Sequence, residues 1–276
     1  MITKIIATSD IHIRKLKRLD ETKEQLTKFI NECKRILEEN GPENTRIVIA
    51  GDICHSKLDT SGEMYLTLVW FLRELDGICK TIVIAGNHDL NMSNLDRVDS
   101  LTPVFEMCDF KQVHYLDREL DYKSGYVIDD NVVWCLYSTF DYFTGPQDLD
   151  ILREREGDGR TFVGLFHGDL NGAKNSTGYC LNGLEPTHFN GTDFVIAGHI
   201  HKFQELSKGG ARIVYCGSLI QQDKAENVTG HGFMLWDVEK KEWEQIDVAN
   251  PNYGYYNFKI NSETDIDENK EELTNA

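Results

Sequence analysis

Five apolar runs of this 276-residue sequence are each followed at once by a short block of aspartate, asparagine or histidine. The runs cover residues 3–8, 46–50, 80–85, 161–166 and 193–197. The blocks are Asp10-Ile11-His12, Gly51-Asp52-Ile53-Cys54-His55, Gly86-Asn87-His88-Asp89, His167-Gly168-Asp169 and Gly198-His199-Ile200-His201. Short apolar runs indicate buried strands, and the carboxyl ends of parallel strands form the ligand crevice of an α/β sheet. We therefore expect the five blocks to converge on one site.

The residue types in the five blocks restrict the chemistry of that site. Carboxylates, imidazoles and one amide oxygen, without thiolates, suit Mn, Fe or Zn. A single histidine at a strand end is more often structural, but the recurrence in five blocks favours a metal site. The blocks contain more potential ligands than one ion can bind, which favours two ions that share a carboxylate. Two ions about 3.5–4 Å apart promote in-line displacement at phosphorus, so the pattern predicts hydrolysis of phosphate esters.

The order of predicted elements indicates an α/β fold. Amphipathic helices over residues 20–39 and 61–75 alternate with the first three strands, which implies parallel pairing. The second half is rich in strands, interrupted by helical segments near 98–107 and 147–155. We predict a four-layer α/β/β/α sandwich of two mixed sheets flanked by helices. Residues 1–250 are predicted to form this domain.

Composition excludes several classes of protein. The net charge of −17 argues against coating nucleic acid or an anionic membrane through a broad basic surface. No apolar run approaches the roughly 20 residues that span a bilayer. Seven cysteines, an odd number without CxxC spacing, suggest neither a disulfide framework nor a cysteine-based zinc site. These features predict an intracellular, cytoplasmic protein without a membrane partner.

The five blocks resemble the signature motifs of the calcineurin-like metallophosphoesterases, over about residues 1–240. The resemblance implies that the protein binds two divalent metal ions. Mn²⁺ is the expected metal, and Fe, Zn and Mg are alternatives. One ion would be held by Asp10, His12, Asp52 and His201, and the other by Asp52, Asn87, His167 and His199. Asp52 would bridge the two ions. His88 would contact the scissile phosphate and protonate the leaving oxygen, while Asp89 would orient His88.

Finer features are similar to the nuclease subunit of SbcCD-type recombination complexes, including those of phages. His55 extends the second block to the GD-x-x-H pattern of DNA-repair nucleases, in which this histidine assists exonuclease cleavage. Similar segments are GLEP at 183–186, YCGSLIQQD at 215–223, whose Gly217-Ser218 would form a turn beside the cleft, and HGFMLWDVE at 231–239.

This second resemblance implies a manganese-dependent nuclease for DNA repair and recombination. Such a subunit cuts duplex DNA exonucleolytically and single-stranded or hairpin DNA endonucleolytically. It acts as a homodimer with an SMC-like coiled-coil ATPase, in a bacterial or phage-infected cell. The chain departs from the family after residue 250. Residues 251–276 offer only the start of a capping region, with a strand-like stretch at 255–260, and an acidic tail expected to be disordered.

Two surface features have more than one interpretation. A basic cluster follows the first block and consists of Arg14, Lys15, Lys17 and Arg18. These side chains either contact a DNA backbone or belong to a solvated segment. We slightly favour the solvated segment, because acidic residues flank the cluster. The apolar stretch 64–71 could pack in the core or contribute to a dimer contact, and we favour core packing for most of it. His114, His188 and His231 lie outside the blocks and are interpreted as structural.

Other functions remain open at this point. The motifs equally fit a phosphodiesterase or phosphatase of the same fold that acts on a substrate other than DNA. A non-catalytic scaffold is a further alternative, although every expected ligand and His88 are present.

Overall fold

The computed structural model describes residues 1–156, 159–206 and 211–256, and its strands form two sheets. The strands are β1 (Lys4–Thr8), β2 (Thr45–Ala50), β3 (Thr81–Ile84), β4 (Val113–Tyr115), β5 (Gly125–Asp129), β6 (Val132–Tyr137), β7 (Thr161–His167), β8 (Phe194–Gly198), β9 (Gln204–Leu206), β10 (Arg212–Tyr215), β11 (Gly232–Asp237) and β12 (Glu242–Asp247). The helices are α1 (Leu19–Asn40), α2 (Gly62–Asp76), α3 (Thr102–Met107), α4 (Leu116–Glu119) and α5 (Leu149–Glu156), with 3₁₀ turns at Thr139–Asp141 and Pro186–Phe189.

Both sheets are mixed, as predicted. The first has the order β12-β11-β1-β2-β3-β4, in which β1 to β4 run parallel and β11 is antiparallel to both of its neighbours, β1 and β12. The second has the order β5-β6-β7-β8-β10-β9, in which β6, β7, β8 and β10 run parallel and the edge strands β5 and β9 are antiparallel. In the second sheet the parallel strands lie in the middle, where both faces can be covered, and in the first they extend from β1 to the edge strand β4.

The two sheets pack face to face through a core of aliphatic and aromatic side chains. Phe194 of β8 stacks on Trp236 of β11 with ring centroids 4.0 Å apart, which joins the second sheet to the first. The outer face of the first sheet is covered by α1 and α2, whose Phe29 and Phe71 are fully buried. On the outer face of the second sheet, Leu149 and Leu152 of α5 belong to a third apolar cluster. The predicted four-layer sandwich is therefore confirmed.

The helix boundaries follow from local hydrogen bonds. Ser61 caps α2 by accepting the Met64 N–H at 3.2 Å, as its position in the sequence indicated. The helix predicted near 98–107 begins only at Thr102, because the Asp99 carboxylate accepts the N–H groups of Leu101 and Thr102 at 2.7 Å each. The strand predicted at 255–260 and the acidic tail lie almost entirely outside the described residues, so the boundary at residue 250 stays a prediction.

The apolar stretch 64–71 lies in α2 and serves mainly as core, as favoured above. Met64, Leu68 and Phe71 are fully buried, whereas Leu66 is 73% exposed.

Within the described residues, no helix combines the length and the apolar character that crossing a membrane requires.

Candidate metal centre

The five polar blocks meet at one end of the sandwich, where β1, β2 and β3 of the first sheet and β7 and β8 of the second sheet end. The Asp10 N–H donates to the Gly51 carbonyl at 3.1 Å, which links the loops after β1 and β2. The His167 ring at the end of β7 donates from Nδ1 to the Ala50 carbonyl at 2.7 Å, which joins the two sheets. The predicted convergence is thus present in the structure.

The loops hold several of these side chains on unusual backbone. Asp10, His12 and Asp52 have φ values of 51–52°, and His199 has a φ of 100°. Left-handed backbone costs a residue other than glycine about 1–3 kcal/mol and is concentrated at functional sites. Four side chains are therefore aimed at the site at a cost in stability.

One group of side chains surrounds the point where His12 and His201 face each other. The two Nε2 atoms are 3.1 Å apart, and Asp10 Oδ1 lies 3.9 Å from His12 Nε2 and 3.8 Å from His201 Nε2. Asp52 Oδ2 lies 3.7 Å from His12 Nε2. These are the four residues that the resemblance assigns to one ion.

Asp52 also belongs to the second group, together with Asn87, His167 and His199. His167 Nε2 is 3.2 Å from Asp52 Oδ2 and 3.2 Å from Asn87 Oδ1. His199 Nδ1 lies 2.8 Å from the same Asn87 oxygen. Asp52 Oδ2 thus faces both groups, which is the position that a bridging carboxylate requires.

The two groups fit divalent cations. Ligand atoms about 2.0–2.2 Å from a metal ion stand roughly 3 to 4 Å from one another, close to the observed separations of 2.8 to 3.9 Å. Among the described residues, three-residue clusters suited to an ion occur at Asp10, His12 and His201 and again at Asp52, His167 and His199, and a third consists of His12, His55 and His88. The donor set contains no sulfur, which agrees with the metals inferred from the sequence.

Burial and neighbouring charges shift the pKa values of several side chains in the site. Burial lowers the pKa of His12 well below its usual value, so that the ring is neutral and able to bind a cation. At His167 burial acts in the same direction, but the adjoining Asp52 carboxylate outweighs it and raises the pKa to about 10. Conversely, His167 outweighs the burial of Asp52 and lowers the pKa of that carboxyl. A cation between the two would replace the proton that they share.

The remaining ring nitrogen of three histidines is held by the protein. His167 Nδ1 donates to the Ala50 carbonyl, His199 Nε2 lies 3.1 Å from Asp169 Oδ1, and His201 Nδ1 lies 2.7 Å from Glu226 Oε1. Such contacts orient each ring with its other nitrogen towards the site.

His88 lies at the edge of the two groups. Its backbone N–H donates to Asp52 Oδ1 at 2.8 Å, and its ring Nδ1 donates to the His55 carbonyl at 2.6 Å. The ring centroid of His88 is 4.8 Å from that of His12. Since Nδ1 is used, Nε2 is the nitrogen left to face a substrate.

The structure corrects the role expected for Asp89. Its carboxylate accepts N–H groups from Cys54 at 2.8 Å, Gly86 at 2.9 Å and Ile53 at 3.4 Å, and the ring of His88 is held by the His55 carbonyl instead. Burial, reinforced by the nearby charge of Asp52, raises the pKa of Asp89 to about 8. Asp89 therefore ties together the loops after β2 and β3 and acts on His88 through the backbone.

His55 lies beside His12 and His88, with ring centroids 5.3 and 5.7 Å away, respectively. Arg14 donates from Nη1 to His55 Nε2 at 3.2 Å. Burial and the charge of Arg14 lower the pKa of His55 to about 4, so that the ring is neutral near pH 7. The ring of His55 thus lies next to two residues of the candidate site.

The basic cluster after the first block is largely engaged within the protein. Arg14 contacts His55, Lys15 pairs with Asp59 at 2.8 Å, and Arg18 pairs with Glu21 and lies over the Tyr255 ring at 5.0 Å. Lys17 is exposed. This arrangement favours the interpretation as a structural and solvated segment over a row of contacts to a DNA backbone.

Two residues that contact the candidate site were not identified as such from the sequence. Glu226 is 25 residues from His201 in a polar loop, and nothing in its spacing marks it. Arg14 was noted for its charge, but its contact with His55 depends on how two loops cross. His114, His188 and His231, interpreted as structural, each bond to a nearby side chain or carbonyl.

Gly198 allows β8 to approach β2 beneath the ligands. A methyl group there would collide with the Ala50 carbonyl oxygen and come within 2.7 Å of His167 Nδ1. Gly198→Ala is therefore expected to lower the free energy of unfolding, measured in urea, by about 1–3 kcal/mol. Gly62→Ala is the matched control, since a methyl group there meets nothing within 4 Å. Equal stability of the two variants would contradict the close approach.

Comparison with known proteins assigns the chain to a family. The family model described as calcineurin-like phosphoesterase matches residues 3–203. A curated relative, the uncharacterized protein R555 of Acanthamoeba polyphaga mimivirus, is 36% identical over 259 residues, which are 91% of this chain and 18% of the relative. The chain thus spans about a fifth of that relative's length.

Two solved structures show weaker similarity. A putative 5'-nucleotidase from Staphylococcus aureus in complex with alpha-ketoglutarate gives a TM-score of 0.46 at 14% identity, over 98% of this chain and 58% of that one. An archaeal phosphodiesterase gives a TM-score of 0.39 at 16% identity, over 89% of this chain and 99% of that one. The assignment rests on the family model and not on these two structures. The chain belongs to the calcineurin-like phosphoesterase family of metal-dependent hydrolases, which use a binuclear metal site.

Proposed function

We propose that this chain is a manganese-dependent DNA nuclease of the SbcCD type, which hydrolyses phosphodiesters in DNA recombination and repair. The observation that carries the proposal is the position of His55. This residue, which completes the GD-x-x-H pattern, has its ring beside His12 and His88, whereas a solvated loop residue would point away.

The ligand residues divide the work between two ions. Asp10, His12 and His201 would hold one ion, Asn87, His167 and His199 the other, and Asp52 both. When bound, the two ions supply Lewis-acid activation of water and of the phosphate.

The residues around the ions have separate tasks. With Nδ1 bonded to the His55 carbonyl, His88 presents Nε2 to the substrate and would deliver a proton to the leaving oxygen. The neutral His55 ring, held by Arg14, would contact the phosphate on the same side. Asp89 keeps the loops that carry His55 and His88 together.

A cavity of about 310 Å³ offers a route for a substrate to the ions. It is lined by Asp169, Asn175, Ser176, Leu181, His199, Ile200, His201 and Asp223. The segment 215–223, which resembles the nuclease subunits, contributes Asp223 to this lining. Ser9 donates to the Gly217 carbonyl at 3.0 Å, which fixes the turn at Gly217-Ser218 next to Asp10.

The proposal includes partners. The net charge of −17 and the internal pairing of the basic cluster leave this chain poorly equipped to hold DNA by itself. We therefore propose that it acts as a homodimer with an SMC-like coiled-coil ATPase, which would supply DNA binding.

A substrate comparison tests the proposed function. The purified chain is incubated with Mn²⁺ and with linear duplex DNA, hairpin DNA, single-stranded DNA, a small aryl phosphodiester or an aryl phosphomonoester. We expect cleavage of DNA and of the aryl diester, abolished by chelation and restored by Mn²⁺. Turnover of the monoester without nucleolysis would overturn the nuclease proposal in favour of a phosphatase. Cleavage of the aryl diester alone, at DNA concentrations raised until the rates no longer change, would favour a phosphodiesterase with another substrate. No cleavage of any of these substrates would favour a scaffold.

A further inference from the structure

Glu226 is a buried carboxylate in the loop between β10 and β11, outside the five blocks. Its side chain is 4% exposed, and its Oε1 lies 2.7 Å from His201 Nδ1. A carboxylate buried to this degree is costly unless it is paired and hydrogen-bonded. Its ion-pair partner among the described residues is His201, one of the proposed metal ligands. We propose that Glu226 is a positioning residue, which fixes the His201 ring with Nε2 aimed at the metal site.

The geometry determines which nitrogen of His201 carries a proton. A carboxylate accepts hydrogen bonds, so the Nδ1 that faces Glu226 must be the donor. His201 Nε2 then points at His12 Nε2, 3.1 Å away, where its lone pair is available to a cation. A carboxylate on the far side of a ligating imidazole also increases the basicity of that ring. Glu226 thus favours both the orientation and the electronic state in which His201 binds metal.

The carboxylate is itself held rigidly. Its Oε2 accepts the Gln222 N–H at 2.7 Å, and its backbone carbonyl accepts the Gln221 side-chain amide at 2.8 Å. The next residue, Asn227, is fixed from the other side, because its carbonyl accepts from His231 Nε2 at 2.7 Å. A group that is anchored on both sides can orient a ligand without losing freedom when the ion binds.

The same loop also reaches the opposite side of the centre. Gln222, whose N–H bonds to Glu226, accepts from Arg14 Nη2 through its backbone oxygen at 3.2 Å and its side-chain oxygen at 3.3 Å. Arg14 in turn donates to His55. A chain of hydrogen bonds therefore runs from His201 through Glu226, Gln222 and Arg14 to His55, and Glu226 is the member that contacts the ring of a proposed metal ligand.

Measuring metal affinity tests this role without reference to any substrate. Manganese binding to the metal-free chain is measured by titration calorimetry for the wild type, Glu226→Gln and Glu226→Ala. Loss of such a positioning contact typically lowers metal affinity about 10- to 100-fold. We expect a loss of this size for Glu226→Ala at one of the two sites, and a smaller loss for Glu226→Gln, whose amide oxygen can still accept from Nδ1.

A spectroscopic signature separates positioning from general stability. In the metal-free wild type, proton NMR should show a hydrogen-bonded His201 Nδ1–H signal, which disappears in Glu226→Ala and shifts in Glu226→Gln. The matched control is Glu205→Gln, which breaks an ion pair with Arg212 at the start of β10, away from the ligands. This control should leave both the His201 signal and the manganese affinity unchanged.

Two results would overturn the proposal. One is wild-type manganese affinity at both sites in Glu226→Gln and Glu226→Ala. The other is an unchanged His201 signal in both variants. The isosteric glutamine variant keeps the test valid if the alanine variant does not fold. Because neither readout involves a phosphate ester, failure of the nuclease proposal would leave this result untouched, and the reverse also holds.

Discussion

Asp52→Asn is expected to abolish most of the activity and to weaken the binding of both metal ions. Asp52 Oδ2 lies 3.2 Å from His167 Nε2 and 3.7 Å from His12 Nε2, so one carboxylate serves both ligand groups. An amide removes the negative charge from that shared position. Removing one electrostatic contributor to a transition state typically costs about 10²–10³ in turnover, and Asp52 also holds the ions, so we expect a loss of at least that size.

The fold should tolerate this change. Asn is, with Asp, the residue that best accepts the left-handed backbone found at position 52, where φ is 52°. The asparagine oxygen can also keep the hydrogen bond from the His88 N–H. Initial rates on the aryl diester are measured together with metal content and circular dichroism.

Asp129→Asn is the matched control for Asp52→Asn. Asp129 is a buried carboxylate that pairs with Arg46 at 2.8 Å and Lys80 at 3.2 Å, near the start of β2 and away from the ligands. Its replacement should lower stability but leave two ions per chain. If Asp52→Asn kept two tightly bound ions and wild-type rates, the assignment of Asp52 as the bridge would be wrong.

His88→Ala is expected to separate proton transfer from metal binding. A positioned general acid contributes about 10²–10⁴ to the rate when the leaving oxygen needs a proton. We therefore expect losses in this range on DNA, whose leaving group is an alkoxide, and much smaller losses on an aryl diester with a good leaving group. Metal content should remain that of the wild type, because the His88 ring is not among the ligand groups.

Comparing the two substrates makes the result specific. An equal loss on DNA and on the aryl diester would contradict the role of His88 as an acid and indicate a loss of positioning instead. Because His88 is bonded to the His55 carbonyl, thermal unfolding should be recorded for the variant as well.

Much of the fold could be predicted because burial leaves a direct trace in the sequence. Runs such as 161–166 and 193–197 are apolar throughout because both faces of the middle strands are covered, and they appear as β7 and β8 within one residue. The convergence of the polar blocks followed from the same reasoning, since parallel strands end at one edge.

Contacts between distant loops could not be predicted. Asp89 bonds to the backbone of Gly86 and of residues 53 and 54, a choice that depends on how two loops are folded against each other. Glu226 approaches His201 because the segment after Gly217 turns back across the site. Charge alone left open whether Arg14 contacts a DNA backbone or belongs to a solvated segment, and in the structure a nearby acceptor within the protein engages it.

The central claim is that seven residues from five loops hold two divalent ions that share Asp52. Anomalous diffraction at a manganese absorption edge, on crystals of the chain grown with Mn²⁺, tests it most directly. We predict two peaks, one among Asp10, His12 and His201 and the other among Asn87, His167 and His199, with Asp52 in contact with both. A single peak, or a peak among His12, His55 and His88 in place of these, would contradict the account.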